Sequence, residues 1–288
     1  MPGIVIREYF QLTKPGIIYG NALSAAAGYF IGAGSGMSVA DFLLMIFGVC
    51  LIVGSGCVLN NYIDRDIDAK MERTRNRALV RGAIPLHDAA SFGILLGICG
   101  ITLLYIVSPL ALFVALFGLF VYVVVYSVWS KRYTLHATII GAVAGAVPPV
   151  VGYVSATNAL DVGALLIFLI LFSWQIPHAL AIAIRRAEDY RRAGIPVMPL
   201  TLGLFATKIQ MLSYAVLFFI AAVTLSFKGY TGATFMWLMG GLGGLWILLC
   251  LRGFLAEDGP QWAKQVFLFS LIIICAFCLL GAFNSMLP

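Results

Sequence analysis

The chemistry-bearing residues crowd into one short stretch, Leu59-Asn60-Asn61-Tyr62-Ile63-Asp64-Arg65-Asp66-Ile67-Asp68. If this stretch is helical, Asn60, Asp64 and Asp68 at i, i+4 and i+8 share one face, while Asp66 projects elsewhere. Like charges one turn apart disfavour a helix by roughly a few tenths of a kcal/mol, and by more in a dehydrated cavity. A divalent cation removes that penalty. Carboxylates and an amide carbonyl are hard oxygen ligands suited to magnesium, a cation commonly shared with substrate phosphates. Behind them Lys70, Arg73, Arg75 and Arg77 supply matching phosphate donors. Four cations so close to the ladder set it apart from an ordinary helix end with surface ion pairs.

A second constellation reads Trp174-Gln175-Ile176-Pro177-His178, followed by Arg185-Arg186-Ala187-Glu188-Asp189-Tyr190-Arg191-Arg192. Glu188 and Asp189 are candidates for a second metal site, and Arg186 with its neighbours for phosphate contacts; the same residues also suit a simple positively charged flank. His178 falls inside an apolar run, where polar groups are costly and often functional. It suits a cofactor contact or a satisfied packing position. Lys131-Arg132 reads as a topology anchor or as a diphosphate contact.

The elements that must position these residues are membrane helices. Of 288 residues, 62% are hydrophobic and 10% charged, against roughly 25% charged in soluble domains. So little charge cannot cover a water-facing surface. Runs of about 20 apolar residues occur at 16–35, 41–61, 88–107, 109–129, 137–155, 162–184, 208–227, 231–251 and 263–285, predicting an all-α bundle of nine spans. Ser108-Pro109 forms a tight turn between the third and fourth. Alternate connections hold seventeen of the 18 Lys and Arg residues, and the opposite loops hold only Lys228. By the positive-inside rule this predicts a cytoplasmic N-terminus and an outside C-terminus. The basic excess thus marks a membrane face rather than nucleic-acid binding.

The long charged loops 62–87 and 185–207 both follow an even-numbered span, which hints at a weak internal duplication within one domain. The cysteines lie in apolar stretches, including Cys275 and Cys278 in a C-x-x-C with no ionisable residue around it. They read as small packing side chains, with no disulfide framework. Arg7, Glu8 and Lys14 interrupt the first segment, which reads neither as a cleavable signal nor as an Arg- and Ser-rich transit peptide.

Four stretches together resemble the UbiA-type intramembrane prenyltransferases, and within them the protohaem IX farnesyltransferase branch. They are Leu12-Thr13-Lys14-Pro15-Gly16 with Asn21; Asn60–Asp68 running into Met71-Glu72-Arg73-Thr74-Arg75-Asn76-Arg77; Gly145-Ala146-Val147-Pro148-Pro149; and Trp174–His178 running to Asp189-Tyr190. The likeness covers roughly residues 8–205. It implies a helical bundle around a central cavity open to the cytoplasm, in a bacterial inner membrane. It implies Mg2+ held by Asn60, Asp64 and Asp68 binding farnesyl diphosphate, with Asp189 standing in for the family's second aspartate motif. Lys70, Arg73, Arg77, Lys131 and Arg186 would steady the diphosphate. Haem b would be the acceptor, contacted by His178 and Trp174, and partners would include haem-handling or terminal oxidase assembly proteins. Asn61 stands where many relatives carry Asp, and the second motif lacks a full D-x-x-x-D, which bears on whether a second metal binds.

Three rival readings differ in testable ways, one of them a haem-binding assembly factor without catalysis, for which the ladder would have no purpose. A related enzyme would prenylate an aromatic or quinone precursor, against which Trp174–His178 and Asn61 count. An ion-coupled transporter would use Asp64 and Asp68 near the bilayer midplane, whereas this ladder sits at the charged edge.

Overall fold

The computed structural model describes residues 2–34 and 36–283, and the regular secondary structure among them is all helical, with turns and loops between. In chain order the helices are α1 (Pro2–Leu12), α2 (Pro15–Ala33), α3 (Val39–Ile63), α4 (Arg65–Asp68), α5 (Leu86–Val107) and α6 (Pro109–Phe120). A π-helical segment, Val121–Ser130, runs on into α7 (Lys131–Tyr133). Then follow α8 (Ala137–Gly145), α9 (Val147–Thr157), α10 (Val162–Arg185), α11 (Ala187–Ala193), α12 (Met198–Thr201), α13 (Gly203–Phe227), α14 (Ala233–Arg252) and α15 (Gly259–Ala282).

Among the described residues, eight helical stretches are long and apolar enough to span a membrane, where nine were expected. They overlap the expected spans from the second to the ninth, with ends shifted by a few residues. Positions 284 and 285 of the last expected span, and Ser35 of the first, lie outside the described residues. The exception is the first span. Its helix α2 carries Gly, Ser, Asn and Tyr among its apolar residues, and these lower its hydropathy. The reason is positional. Gly16, Gly20, Asn21 and Ser24 line an internal cavity, while α9, α15 and α3 pack against the helix. A helix with one face on a cavity and others packed on protein is partly freed of the demand for apolarity that lipid imposes. Phe113, Trp237 and Leu248 show the opposite case, standing exposed on the bundle's outer surface.

Small residues bring the inner helices together, as membrane packing favours. A Cβ at Gly28 would lie 1.9 Å from the Pro149 carbonyl oxygen, and one at Gly152 would lie 1.9 Å from that of Ala25. The α2–α9 contact is therefore backbone against backbone. The span containing α9 is broken at Ala146, because Pro148 and Pro149 lack the N–H groups an uninterrupted helix needs, and Pro in the first turn starts a new one.

The π-helical segment is the other irregularity. Such segments are rare and recur at functional sites. Here Ser127 Oγ donates to the Tyr122 carbonyl at 2.8 Å, and the wider turn ends where Lys131 must reach the ladder.

All six cysteines are free. The two charged loops meet at one end of the bundle, where Ile67 and Met71 from the first pack with Ala193 and Ile195 from the second. The charged ends of α1 and α7 gather there too, as the Glu8–Arg81 and Asp66–Arg132 pairs show.

Candidate active site

The ladder closes α3, but not as one uninterrupted helix. Asp64 (φ −86°, ψ 2°) separates α3 from the short α4. The repeat survives because the Asp64 amide donates to Asn60 O at 2.9 Å and the Asp68 amide to Asp64 O at 2.8 Å. Asn60, Asp64 and Asp68 therefore stay on one face, and all are buried, with Asp64 0% and Asp68 1% exposed. Asp66 points away as expected. It makes a two-pronged pair with Arg132 at 2.7 Å, and that hydrogen bond holds its carboxyl down at about 2.

An ionised carboxylate taken out of water costs several kcal/mol unless partners offset it. Each buried carboxylate here has one oxygen engaged. Lys131 Nζ donates to Asp64 Oδ2, and Asn60 Nδ2 donates to the same oxygen at 2.9 Å. Arg77 donates to Asp68 Oδ2 at 2.5 Å. The other oxygens, Asp64 Oδ1 and Asp68 Oδ1, are buried with no hydrogen-bond partner. Two orphaned carboxylate oxygens one turn apart fit a hard divalent cation. Thr74 holds the first loop in place by donating to the Asp68 carbonyl at 2.9 Å.

Two contributors were not singled out by spacing. Lys14 Nζ donates to Asn60 Oδ1, and Ser127 Oγ accepts from Asn60 Nδ2 at 2.8 Å. Lys14 reaches the site from a left-handed backbone (φ 52°) just before Pro15. That conformation costs a non-glycine residue roughly 1–2 kcal/mol, and strain of this kind clusters at functional sites. Burial draws its amine down to about 8, with Arg77 and Lys131 adding repulsion. With its oxygen held by Lys14, Asn60 would ligate a metal only if Lys14 moved off it. A basic residue immediately before a helix-starting proline was the available sequence signal.

The remaining expected residues divide. Arg73 is exposed, yet its charge acts on Tyr190 of the second loop, whose hydroxyl is pushed up mainly by burial. Lys70 and Arg186 are exposed and stand outside the ion-paired cluster. Asp189 is half-buried, and it does not join Asp64 and Asp68. Among the described residues no three His, Cys, Asp or Glu side chains gather as a metal site.

Below the ladder lies a cavity of about 460 Å3, within the 300–1,000 Å3 usual for small-molecule sites. Gly56, Cys57 and Tyr122 line its upper part, one helical turn from Asn60, and Val151, Leu171 and Ile274 its apolar remainder. Trp174 and His178 also face it. Trp174 Nε1 donates to the Ser270 carbonyl at 2.8 Å, and His178 Nδ1 lies 2.7 Å from Ser270 Oγ. A charged, cation-ready rim thus caps an apolar chamber.

The chain and its fold have known counterparts. Residues 21–281 match the model of the UbiA prenyltransferase family. The chain is 43% identical to protoheme IX farnesyltransferase 2 of Pseudomonas entomophila over 97% of its own length and 95% of that protein's. In fold it is similar to digeranylgeranylglyceryl phosphate synthase, with TM-score 0.81, 20% identity, and 96% and 98% of the two chains covered. It is likewise similar to a UbiA homologue from Archaeoglobus fulgidus bound to GPP and Mg2+, with TM-score 0.71, 14% identity, and 96% and 99% covered.

Proposed function

Since this chain belongs to the UbiA prenyltransferase family, we propose that it transfers the farnesyl group of farnesyl diphosphate to a vinyl group of haem b in a bacterial inner membrane. The observation that carries the reading is the pair of orphaned oxygens, Asp64 Oδ1 and Asp68 Oδ1, set beside three cationic side chains above an apolar cavity.

Asp64 and Asp68 would hold Mg2+, with Asn60 joining them once Lys14 releases its carbonyl. When bound, the metal supplies charge compensation for the diphosphate as it departs. Lys131 and Arg77, which donate to the Oδ2 atoms of Asp64 and Asp68, would present their remaining N–H groups to the diphosphate oxygens, as would Lys14. Arg73 stands exposed at the rim for the same anion. These donors act where negative charge builds up, in a site with little water to weaken them.

The C1–O bond of the prenyl diphosphate breaks with its electron pair leaving on the diphosphate. Vinyl π electrons form the new carbon–carbon bond, and water captures the resulting cation with loss of a proton. The cavity's apolar walls accept the isoprenoid chain and keep bulk water from the cationic C1. No protein nucleophile is required. The charged end faces the cytoplasm in this reading, where the diphosphate substrate is found, and haem-handling or oxidase assembly proteins are the natural partners.

The test is direct. Purified protein with haem b, farnesyl diphosphate and Mg2+ should give a haem-plus-farnesyl product by mass spectrometry that EDTA abolishes. A prenylated aromatic acid in place of that product would reassign the acceptor. Undiminished product from Asp64→Ala and Asp68→Ala would sink the ladder's role.

A further inference from the structure

His178 lines the cavity, but little of its ring is open to it. Trp174 stacks on the imidazole with centroids 4.9 Å apart and planes 25° apart, and Phe267 lies at 5.0 Å and 32°. Among the described residues Trp174 and Phe267 make no ring contact with each other, as expected of rings on opposite faces of a third. Arg185 lies over the Phe267 ring, its guanidinium carbon 5.6 Å from the centroid. Two aromatic rings, Trp174 and Phe267, therefore hold His178 by its faces. Stacking on a flat ligand is closed to it, and only its edge can address the cavity.

Proton counting identifies which edge. Ser270 is fully buried, and its hydroxyl has one proton. Ser270 Oγ donates that proton to the Phe267 carbonyl at 2.6 Å. At 2.7 Å from His178 Nδ1 it must therefore accept, which places the imidazole proton on Nδ1. In the neutral ring the in-plane lone pair then sits on Nε2, which has no protein partner among the described residues. A ligating histidine characteristically donates its other N–H to a fixed acceptor, which sets the tautomer and ring plane. Imidazole is a good donor to iron. Gln175, on the same helix, is engaged instead: its Nε2 donates to Leu171 O at 3.0 Å and to Ala142 O at 3.4 Å.

We propose that His178 Nε2 is an axial ligand of the haem iron when the porphyrin substrate is bound, and that Ser270 is the positioning residue that fixes its tautomer. The proposal rests on haem b being the acceptor. It assigns a role to α15, which lies beyond the stretch of recognisable motifs, and it makes His178 a ligand through its edge rather than a stacking surface.

The experiment uses the full-length protein in detergent without farnesyl diphosphate, titrated with haem b and, separately, with metal-free protoporphyrin IX. The wild type should show the absorption and electron paramagnetic signature of imidazole-ligated iron. His178→Ala should lose that signature, regain it with added imidazole, and bind haem about tenfold or more weakly while binding the metal-free porphyrin unchanged. Ser270→Ala should retain ligation with a shifted iron–imidazole stretching frequency and weaker haem binding, and Ser270→Thr should restore both. An unaltered spectrum in His178→Ala, or equal loss of haem and metal-free porphyrin, overturns the proposal. Prenylation assays on the same preparations separate the two levels. Haem prenylated by the wild type beside an unaltered His178→Ala spectrum removes the ligation alone. A wild type that neither binds nor prenylates haem removes the acceptor reading and the ligation with it.

Discussion

Lys131 and Asp64, 67 positions apart in the chain, are joined by a hydrogen-bonded ion pair in which the carboxylate is fully buried. The pair couples the π-helical fourth span to the ladder of the second. Removing one partner of a buried pair leaves an uncompensated charge, at a cost of about 3–5 kcal/mol. Lys131→Met should therefore lower the thermal stability of the metal-free protein sharply, and Mg2+ should recover part of the loss. The double variant Asp64→Asn, Lys131→Met should be more stable than Lys131→Met alone. A melting series in detergent, with and without Mg2+, checks both statements.

Asp64→Asn and Asp68→Asn keep the side-chain shape and remove the negative oxygens. Each should reduce prenyl transfer by about 100-fold or more, the scale of losing a main electrostatic group, and should abolish the thermal stabilisation that Mg2+ confers. Retention of that stabilisation by either variant would place the metal elsewhere.

Burial holds Lys14 at about 8 in the folded protein, below its ordinary 10.5. A lowered folded value means the unfolded chain binds the extra proton more readily, so stability rises as pH climbs from about 8 towards 10.5. Lys14→Met removes this titration. The stability difference between wild type and variant should shift in favour of the wild type over that window, by on the order of 1 kcal/mol, as read by unfolding at pH 7.5 and 9.5.

Gly152 lies against the Ala25 carbonyl, where a Cβ would stand 1.9 Å from the oxygen. Gly152→Ala must push α2 from α9 and should destabilise the protein by about 1–3 kcal/mol, the usual cost of overpacking. Gly241 is the control, because a Cβ added there would meet nothing within 4 Å. Gly241→Ala should be close to neutral in the same melt.

Ala144 lines the cavity. Ala144→Phe should shorten the isoprenoid that fits, shifting preference from farnesyl towards geranyl diphosphate by about tenfold, within the range that hydrophobic pockets discriminate. Competition between the two diphosphates, followed by mass spectrometry, reads the ratio. An unchanged ratio would place the chain outside this cavity.

Much of this protein was legible in its sequence because lipid is an unforgiving solvent. Apolar runs outlined the second to ninth spans, and the i, i+4, i+8 spacing put Asn60, Asp64 and Asp68 on one face even though Asp64 interrupts the helix. Spacing also separated Asp66 from that face. These are local properties, decided by helical period and solvent preference. What spacing could not supply were partners distant in the chain. Lys14 on Asn60, Lys131 on Asp64 and Ser270 beneath His178 depend on which helices lie side by side. Whether Asp189 of the second loop meets the ladder is likewise beyond spacing, and among the described residues no three His, Cys, Asp or Glu side chains gather. Helix packing is set by small residues such as Gly28 and Gly152 meeting backbone on other spans. That complementarity exists only between surfaces, so only the tertiary structure decided which charges the buried carboxylates would find.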